Sequence, residues 1–286
     1  MALTDTYTLS NGVKIPVIGF GTWQSPDGDV AYQAVKWALE AGYRHIDTAA
    51  IYGNEVSVGQ AIADSGIARE ELFVTTKLWN DAHSFDAATA ALDESLRKLG
   101  LDYVDLYLIH WPNPAAVQAN DDDAWIDANA DTWRAMEAAY KAGKTRAIGV
   151  SNFVVHHLEA LAKTQEVAPM VNQIFLNPSD AQAEVVAYNQ AHNIISEAYS
   201  PFGTGRLLGN DVVADIAAKY GKSETQILLR WSLDNGFLPL PKSTHEDYIK
   251  ANTDVFDFTL ADEDLDALNA LDGVSGYHTD ADKAKF

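Results

Sequence analysis

Seven short apolar runs in this chain each end on a residue that can do chemistry. Asp47 follows Arg44-His45-Ile46, Lys77 follows Leu72–Thr76, and His110 follows Asp105–Ile109. Ser151 and Asn152 follow Arg146–Val150, Gln173 follows Met170–Asn172, Tyr199 follows Ile194–Ala198, and Lys242 with Ser243 follows Phe237–Pro241. Lys77 is the least ordinary of these, because lysine is rarely buried unpaired and the five residues before it read as interior strand. It needs a carboxylate, and Asp47 is the nearest candidate, with Tyr52 on the loop that follows it. A free tyrosine, with a pKa of about 10, is a poor acid at neutral pH. A nearby ammonium favours the phenolate and lowers that value. Tyr52 beside Lys77, with Asp47 holding the lysine charged, therefore predicts a general acid of tuned pKa. His110 would orient a carbonyl oxygen by hydrogen bonding. Each residue also has a plain reading: Asp47 as a helix cap, Tyr52 as packing, His110 as a hydrogen-bonded core histidine.

The elements that must place these residues are legible in the same pattern. Tyr7–Leu9 and Val13–Ile15 flank Ser10-Asn11-Gly12, and Asn-Gly is a strong hairpin signal. Val17–Phe20, Tyr43–Ile46, Leu72–Thr76, Val104–Ile109, Thr145–Val150, Met170–Asn172, Ile194–Ala198 and Phe237–Leu240 read as strands buried on both faces. Helical periods lie between them at 29–41, 54–63, 86–99, 131–142, 155–162, 181–191, 212–218 and 224–233. Asp29, Asn54 and Asp131 are of capping type, and Ala41-Gly42 and Ala142-Gly143 are C-terminal stops. Strands and helices alternating in this way predict an α/β fold, a (β/α)8 TIM barrel with an N-terminal hairpin (7–15) and a C-terminal tail (272–286) on a single domain spanning 1–286. A doubly wound open sheet is the alternative. In such a barrel the C-terminal strand ends form one rim, where the polar residues above would meet.

Composition narrows the function. The 286 residues carry 41 Asp and Glu against 20 Lys and Arg, a net charge of −21, and no cysteine. Zero cysteine removes disulfides, thiolate catalysis, zinc ribbons and iron–sulfur clusters. The acidity argues against nucleic acid, whose phosphates need a basic footprint, and against anionic membranes. No run approaches the roughly 18 apolar residues of a membrane span, and no targeting segment is visible, so a cytoplasmic location is expected.

With those residues in view, the sequence resembles the aldo-keto reductases, and within them the bacterial diketogluconate-reductase-like group. The likeness runs from about Leu9 to His278 through GFGTW (Gly19–Trp23), GYRHIDTAAIYGNE (Gly42–Glu55), TKLW (Thr76–Trp79), DLYLIHWP (Asp105–Pro112), GVSNF (Gly149–Phe153), NQI (Asn172–Ile174), AYSPF (Ala198–Phe202) and LPKS (Leu240–Ser243). The resemblance implies reversible reduction of aldehydes and ketones, with Tyr52 as proton donor, Lys77 and Asp47 tuning it and His110 orienting the carbonyl. It implies NADP(H) as cofactor. Gly21 and Thr22 would border it, Ser151, Asn152 and Gln173 would hold its carboxamide, and Tyr199 would stack on the nicotinamide. Ser200, Phe202 and Gly203 would line the pyrophosphate path, Lys242, Ser243 and Thr244 would meet the 2′-phosphate, and Asn252 the adenine. It implies a small-molecule partner and a monomer.

One departure stands out. Where the family pattern places an Arg five residues beyond the Ser of LPKS, this chain has Tyr248, which stacks but cannot pair with phosphate. Weaker discrimination against NAD(H) is therefore expected. Trp23, Trp79, Trp111 and Trp125 fall in expected βα loops and suggest an aromatic pocket, with Tyr277 and His278 as the counterpart of the family's specificity tail. The loop from Asn113 to Asp127, with Asp121-Asp122-Asp123, reads as long and acidic.

Rival readings are weaker. Gly19-x-Gly21 and Gly203-x-Gly205 lack the third glycine of a Rossmann fingerprint, and Gly143-Lys144-Thr145 has Ala138 where a P-loop needs glycine. A metal-dependent barrel hydrolase would use His45, Asp47 and His110, but the later strand ends offer no further carboxylate, and His45 reads as a core residue. A cofactor-binding regulatory subunit on the same fold is the non-enzyme alternative.

Overall fold

Asn-Gly does make the first turn. The computed structural model describes residues 1–119 and 123–286 and opens on an antiparallel pair, β1 (Thr6–Thr8) and β2 (Lys14–Pro16). Asn11 Oδ1 accepts from Val13 N at 3.1 Å, and Gly12 takes a φ of 86° that a side chain would resist.

Eight strands then form one parallel sheet in chain order. They are β3 (Phe20–Gly21), β4 (His45–Asp47), β5 (Phe73–Leu78), β6 (Val104–Ile109), β7 (Thr145–Ser151), β8 (Val171–Phe175), β9 (Ile195–Tyr199) and β10 (Leu238–Leu240). Gly19 N donates to Pro239 O at 3.1 Å and Gly21 N to Pro241 O at 3.0 Å, joining the first and last strands into a barrel. Helices cover its outside: α1 (Asp29–Glu40), α2 (Glu55–Asp64), α3 (Phe85–Leu99), α4 (Ala115–Gln118), α5 (Ala124–Lys141), α6 (Val155–Leu161), α7 (Ala183–Ala191), α8 (Asp211–Tyr220), α9 (Glu224–Asp234), α10 (Glu246–Ala251) and α11 (Asp262–Asn269). The fold is the expected (β/α)8 barrel with its N-terminal hairpin.

The two-residue period of the strands separates two jobs. Ile46, Val74, Leu78, Tyr107, Ile109, Ile148 and Val150 join the core under the helices. The alternate positions Phe73, Leu106, Leu108, Ala147, Val171, Leu238 and Leu240 form a second cluster inside the barrel, and Leu9 and Ile15 of the hairpin region belong to it. The same inward register continues along the strands to Asp47, Lys77, Ser151, Gln173 and Tyr199. So the barrel interior is apolar at one end and polar at the other.

Several boundaries differ from the sequence expectation for one reason. The runs at 43–46, 72–76 and 194–198 become strands ending at Asp47, Leu78 and Tyr199. The polar closing residue is itself part of the strand, and hydrophobicity alone stops short of it. The 113–127 segment is not one long loop. It holds α4 and the start of α5, so Trp125 lies buried on a helix, and Asn129 of α5 donates to Pro112 O at 2.8 Å. Asp121 and Asp122 lie outside the described residues. The capping residues act elsewhere than expected. Asp29 is inside the first turn of α1, behind Gly28. Asn54 precedes α2 but donates to Thr22 O and Ser25 O, both at 3.0 Å. Asp131, in the middle of α5, accepts from Phe85 N at 2.7 Å and so caps the neighbouring helix α3.

Candidate active site

Lys77 is wholly buried on β5, and its neighbours account for that. Its Nζ donates to Asp47 Oδ1 at 2.7 Å, to Oδ2 at 2.8 Å and to Thr48 O at 2.9 Å. Asp47 sits on the adjacent strand β4, 3% exposed. The fourth contact of the ammonium, at 3.4 Å, is the hydroxyl of Tyr52, whose ring also lies 5.0 Å from Nζ. Tyr52 is held by a short 3₁₀ turn, Ala50–Tyr52, that closes on Gly53 at a φ of 68°. His110 follows β6, with its ring edge-on to Tyr52 at 5.9 Å and to Trp79 at 5.2 Å. The four residues that the sequence singles out are therefore one cluster at one rim.

Electrostatics qualifies the sequence reading of Tyr52. Burial raises its pKa above the ordinary value; Lys77 pulls it down, and Asp47 and Glu197 push it up. The net direction is upward, against the expected lowering, because burial outweighs the pull of a lysine charge that Asp47 partly offsets. Burial opposes the Lys77 charge, but Asp47, Tyr52 and Glu197 together raise its pKa. Burial, reinforced by Lys77, drives His110 well below the usual histidine range. His110 is accordingly neutral throughout the range where proteins are assayed. We expect no acid limb from His110 in the pH dependence of turnover between pH 5 and 8. A pH–rate profile that loses an inflection near pH 6.5 in His110→Gln would contradict this.

Around the cluster the rim is assembled from consecutive strands. Ser151 Oγ donates to Gln173 O at 2.8 Å. Asn152, at a φ of 61°, donates to His110 O at 2.9 Å and accepts from Tyr199 OH at 2.8 Å. Gln173 Nε2 donates to Asp47 Oδ2 at 2.9 Å. The rim is thus a single network running from Asp47 to Tyr199.

A sequence profile of the aldo/keto reductase family matches residues 17–273. The chain belongs to the aldo/keto reductase family. It is an oxidoreductase acting on carbonyl and alcohol groups. It is 48% identical to a glyoxal reductase of Bacillus subtilis over 94% of both chains. To the glycerol 2-dehydrogenase (NADP(+)) of Saccharomyces cerevisiae it is 43% identical, over 96% of this chain and 92% of that one. Its structure superposes with a TM-score of 0.86 on a Bombyx mori aldo-keto reductase in complex with NADP, at 42% identity, covering 96% of this chain and 94% of the other.

In this reductase the other expected residues lie as follows. Gly21 ends β3, and the buried Thr22 donates to Asp47 O at 2.9 Å. After β9, Ser200 has a φ of 52°, and Phe202 leads into the turn Gly203–Gly205. Gly203 has a φ of 56°, and a Cβ there would lie 2.6 Å from Ser275, so no other residue fits. Lys242 Nζ donates to Gln24 O at 3.1 Å, and burial lowers its pKa. Ser243 Oγ accepts from His245 N, Thr244 lies between them, and Asn252 is buried behind α10. Tyr248 is 65% exposed on α10, with His245 stacked edge-on at 5.6 Å.

The aromatic wall differs in part from expectation. Trp79 stacks on Phe286 at 6.2 Å and Trp111 meets it edge-on at 4.9 Å, while Trp23 is half exposed beyond β3. Tyr277 instead donates to Asp272 Oδ2, and His278 pairs with Asp180 at 2.7 Å, which raises its pKa. Phe286 was not legible in the sequence, because its contacts cross some two hundred positions to Trp79 and Asn80, whose Nδ2 donates to Phe286 O. Glu197 was also missed. It is a wholly buried carboxyl within β9, two residues before the strand end, where a reading confined to strand ends does not look. His45 is the core residue expected, bonded to Thr75 Oγ1 at 2.9 Å.

A His156, His157 and Asp282 cluster has the elements of a metal site, beside a surface cavity of about 480 Å³. The geometry argues against one. His157 Nδ1 accepts from Val154 N, so its Nε2 carries the proton and donates to Asp282. A metal-ligating histidine donates from its other nitrogen instead. The cluster fastens the tail to α6.

Proposed function

We propose that this protein is an NADP(H)-dependent reductase of small aldehydes and ketones, working reversibly with Tyr52 as the general acid. The observation that carries the reading is the Tyr52 hydroxyl held 3.4 Å from a buried, Asp47-paired Lys77 at the rim, beside a neutral His110.

The residues fit the cofactor. Both amide protons of Gln173 are engaged, leaving its Oε1 for a carboxamide, and Tyr199 offers a half-buried ring at the same level. The left-handed turn at Ser200 and Gly203 suits a diphosphate, and among the described residues Lys242 Nζ has one hydrogen-bond partner, the Gln24 carbonyl. NADPH, when bound, supplies the hydride. The chain's own work is the proton: Tyr52 gives it to the carbonyl oxygen, and His110, as a neutral N–H donor, aligns that oxygen. Lys77 stabilises the phenolate left behind, and Asp47 keeps Lys77 charged and fixed. Trp79, Trp111 and Phe286 exclude water from the pocket. The naming of a relative as a glyoxal reductase supports short dicarbonyls as substrates. The resemblance to diketogluconate-type reductases places keto acids on the same test panel.

Lys242 is the cation that the LPKS motif assigns to the 2′-phosphate, against a global charge of −21. Lys242→Ala is expected to raise KM for NADPH by about tenfold to a hundredfold, the size of a charge-assisted hydrogen bond, and to leave KM for NADH unchanged. Steady-state kinetics with both cofactors checks this. Because Tyr248 adds no charge, the wild-type preference for NADPH should be modest. Equal efficiency with both cofactors, unchanged by Lys242→Ala, would remove Lys242 from the role.

A further inference from the structure

Beneath Tyr199 lies a carboxyl that the reduction chemistry above does not use. Glu197 is two residues before Tyr199 on β9, in the same inward register, and is wholly buried. Its Cα pairs across the sheet with Gln173. Glu197 Oε2 accepts from Gln173 Nε2 at 2.6 Å, and the same nitrogen donates to Asp47 Oδ2 at 2.9 Å. One amide group therefore bridges two carboxyls and has both its protons spent. That fixes which way the amide faces, because an Oε1 turned toward either carboxylate would meet another acceptor.

The charges in this nest do not balance if both acids are ionised. Among the described residues Lys77 is its one cation, and it is already committed to Asp47. The other groups facing Glu197 are Tyr52 from the loop after β4 and His45 from β4 itself. His45 Nε2 lies 3.6 Å from Glu197 Oε1, and burial pushes the pKa of His45 down to about 3, so it brings no charge. Among the described residues Glu197 Oε1 has no hydrogen-bond partner. A second, unpaired carboxylate in such a place is costly. Burial, with Asp47 beside it, accordingly pushes the Glu197 carboxyl up to about 8.

We propose that Glu197 is a positioning residue: it holds the Gln173 amide with Oε1 turned to the cofactor carboxamide, and it sets the charge of the nest below Tyr199. The inference rests on the reading of the rim as a nicotinamide site. When Glu197 is neutral the nest is neutral. When it ionises, the nest gains a negative charge that favours the cationic oxidised nicotinamide over the neutral reduced one. Rising pH would then shift binding toward NADP⁺ and, with it, the enzyme toward alcohol oxidation.

Two variants separate the two roles. Glu197→Gln keeps an acceptor for Gln173 and cannot ionise, whereas Glu197→Leu does neither. The first readout is the apo protein's Tm against pH. The native carboxyl keeps its proton to about pH 8, while the unfolded chain releases it near pH 4, so unfolding releases a proton between those values and stability falls as pH rises. The Tm of Glu197→Gln minus that of wild type should therefore grow from pH 5 to 8 and level off above. The second readout is the ratio of the Kd for NADPH to that for NADP⁺. It should rise severalfold over pH 7–9 in wild type and stay flat in Glu197→Gln. At pH 6, Glu197→Leu should bind NADP⁺ about tenfold more weakly than Glu197→Gln, the loss of one buried hydrogen bond. A Tm difference independent of pH, together with the same Kd ratio in both proteins, would overturn the proposal. So would equal NADP⁺ affinity in the Gln and Leu variants. If the Leu variant does not fold, the Gln variant alone decides. A wild type that reduces no carbonyl but still shows these binding trends would refute the catalytic reading and leave the role of Glu197 intact.

Discussion

Tyr52→Phe should lose carbonyl reduction by a factor of about 10²–10⁴ in kcat, the range for removal of a positioned acid, and keep its affinity for NADPH. The structure explains the asymmetry. Among the described residues the hydroxyl has one hydrogen-bond partner, Lys77 Nζ at 3.4 Å, and none of the residues expected around the cofactor bonds to it. The ring remains to pack against His110 at 5.9 Å. Of the neighbouring N–H groups, neutral His110 would leave an anionic imidazolate on giving up its proton, and the Lys77 ammonium is held in its ion pair with Asp47. The pKa of Tyr52 lies above the ordinary tyrosine value, so the reductive rate should stay level across neutral pH and fall only in strong base. Kinetics of the variant against an aldehyde panel, with fluorescence titration of NADPH, checks both halves. A variant within tenfold of wild type would remove Tyr52 from the acid role.

Lys77→Met should be the most damaging single change for the molecule as a whole. It leaves the Asp47 carboxylate, 3% exposed, with Gln173 as its remaining side-chain donor. Breaking a buried pair in this way costs about 3–5 kcal/mol, which urea unfolding would register. It also removes the cation that stabilises a phenolate at Tyr52, so turnover should fall along with stability. The double variant Lys77→Met with Asp47→Asn separates the two effects. It removes the stranded charge, so much of the stability should return, while the rate should not. Recovery of rate together with stability would mean that the pair is only structural.

How far the sequence anticipates this molecule depends on what kind of contact each residue makes. Strand-end residues are visible because two local rules coincide: an apolar run marks a buried strand, and a polar residue closing it must sit at a rim. Asp47, Lys77, His110 and Gln173 are legible in that way, and their motifs add to it. Glu197 escapes because it interrupts an apolar run (Ile195-Ser196-Glu197-Ala198), and what makes a buried acid tolerable there is Gln173 on another strand. Phe286 escapes because tail contacts have no period. Helices α10 and α11 were not read because EDYIKA and DEDLDALN are too acidic and too short to show a hydrophobic stripe. Asp131 misleads for a related reason: its residue type marks a cap correctly, but the helix it caps is α3, a partner in space. The direction of the Tyr52 shift was misjudged because it depends on burial, which spacing does not reveal.

The most direct test of the account is a single turnover. Wild-type enzyme is loaded with NADPH carrying deuterium at the transferable C4 position, mixed with excess short-chain aldehyde or dicarbonyl, and followed by NADPH absorbance and then by analysis of the product. Wild type should show stoichiometric loss of absorbance and deuterium on the carbinol carbon of the alcohol, with little loss on the same timescale in NADPH-loaded Tyr52→Phe. Stable NADPH in wild type against every aldehyde, ketone and keto acid tried, or equally fast oxidation in Tyr52→Phe, would contradict it.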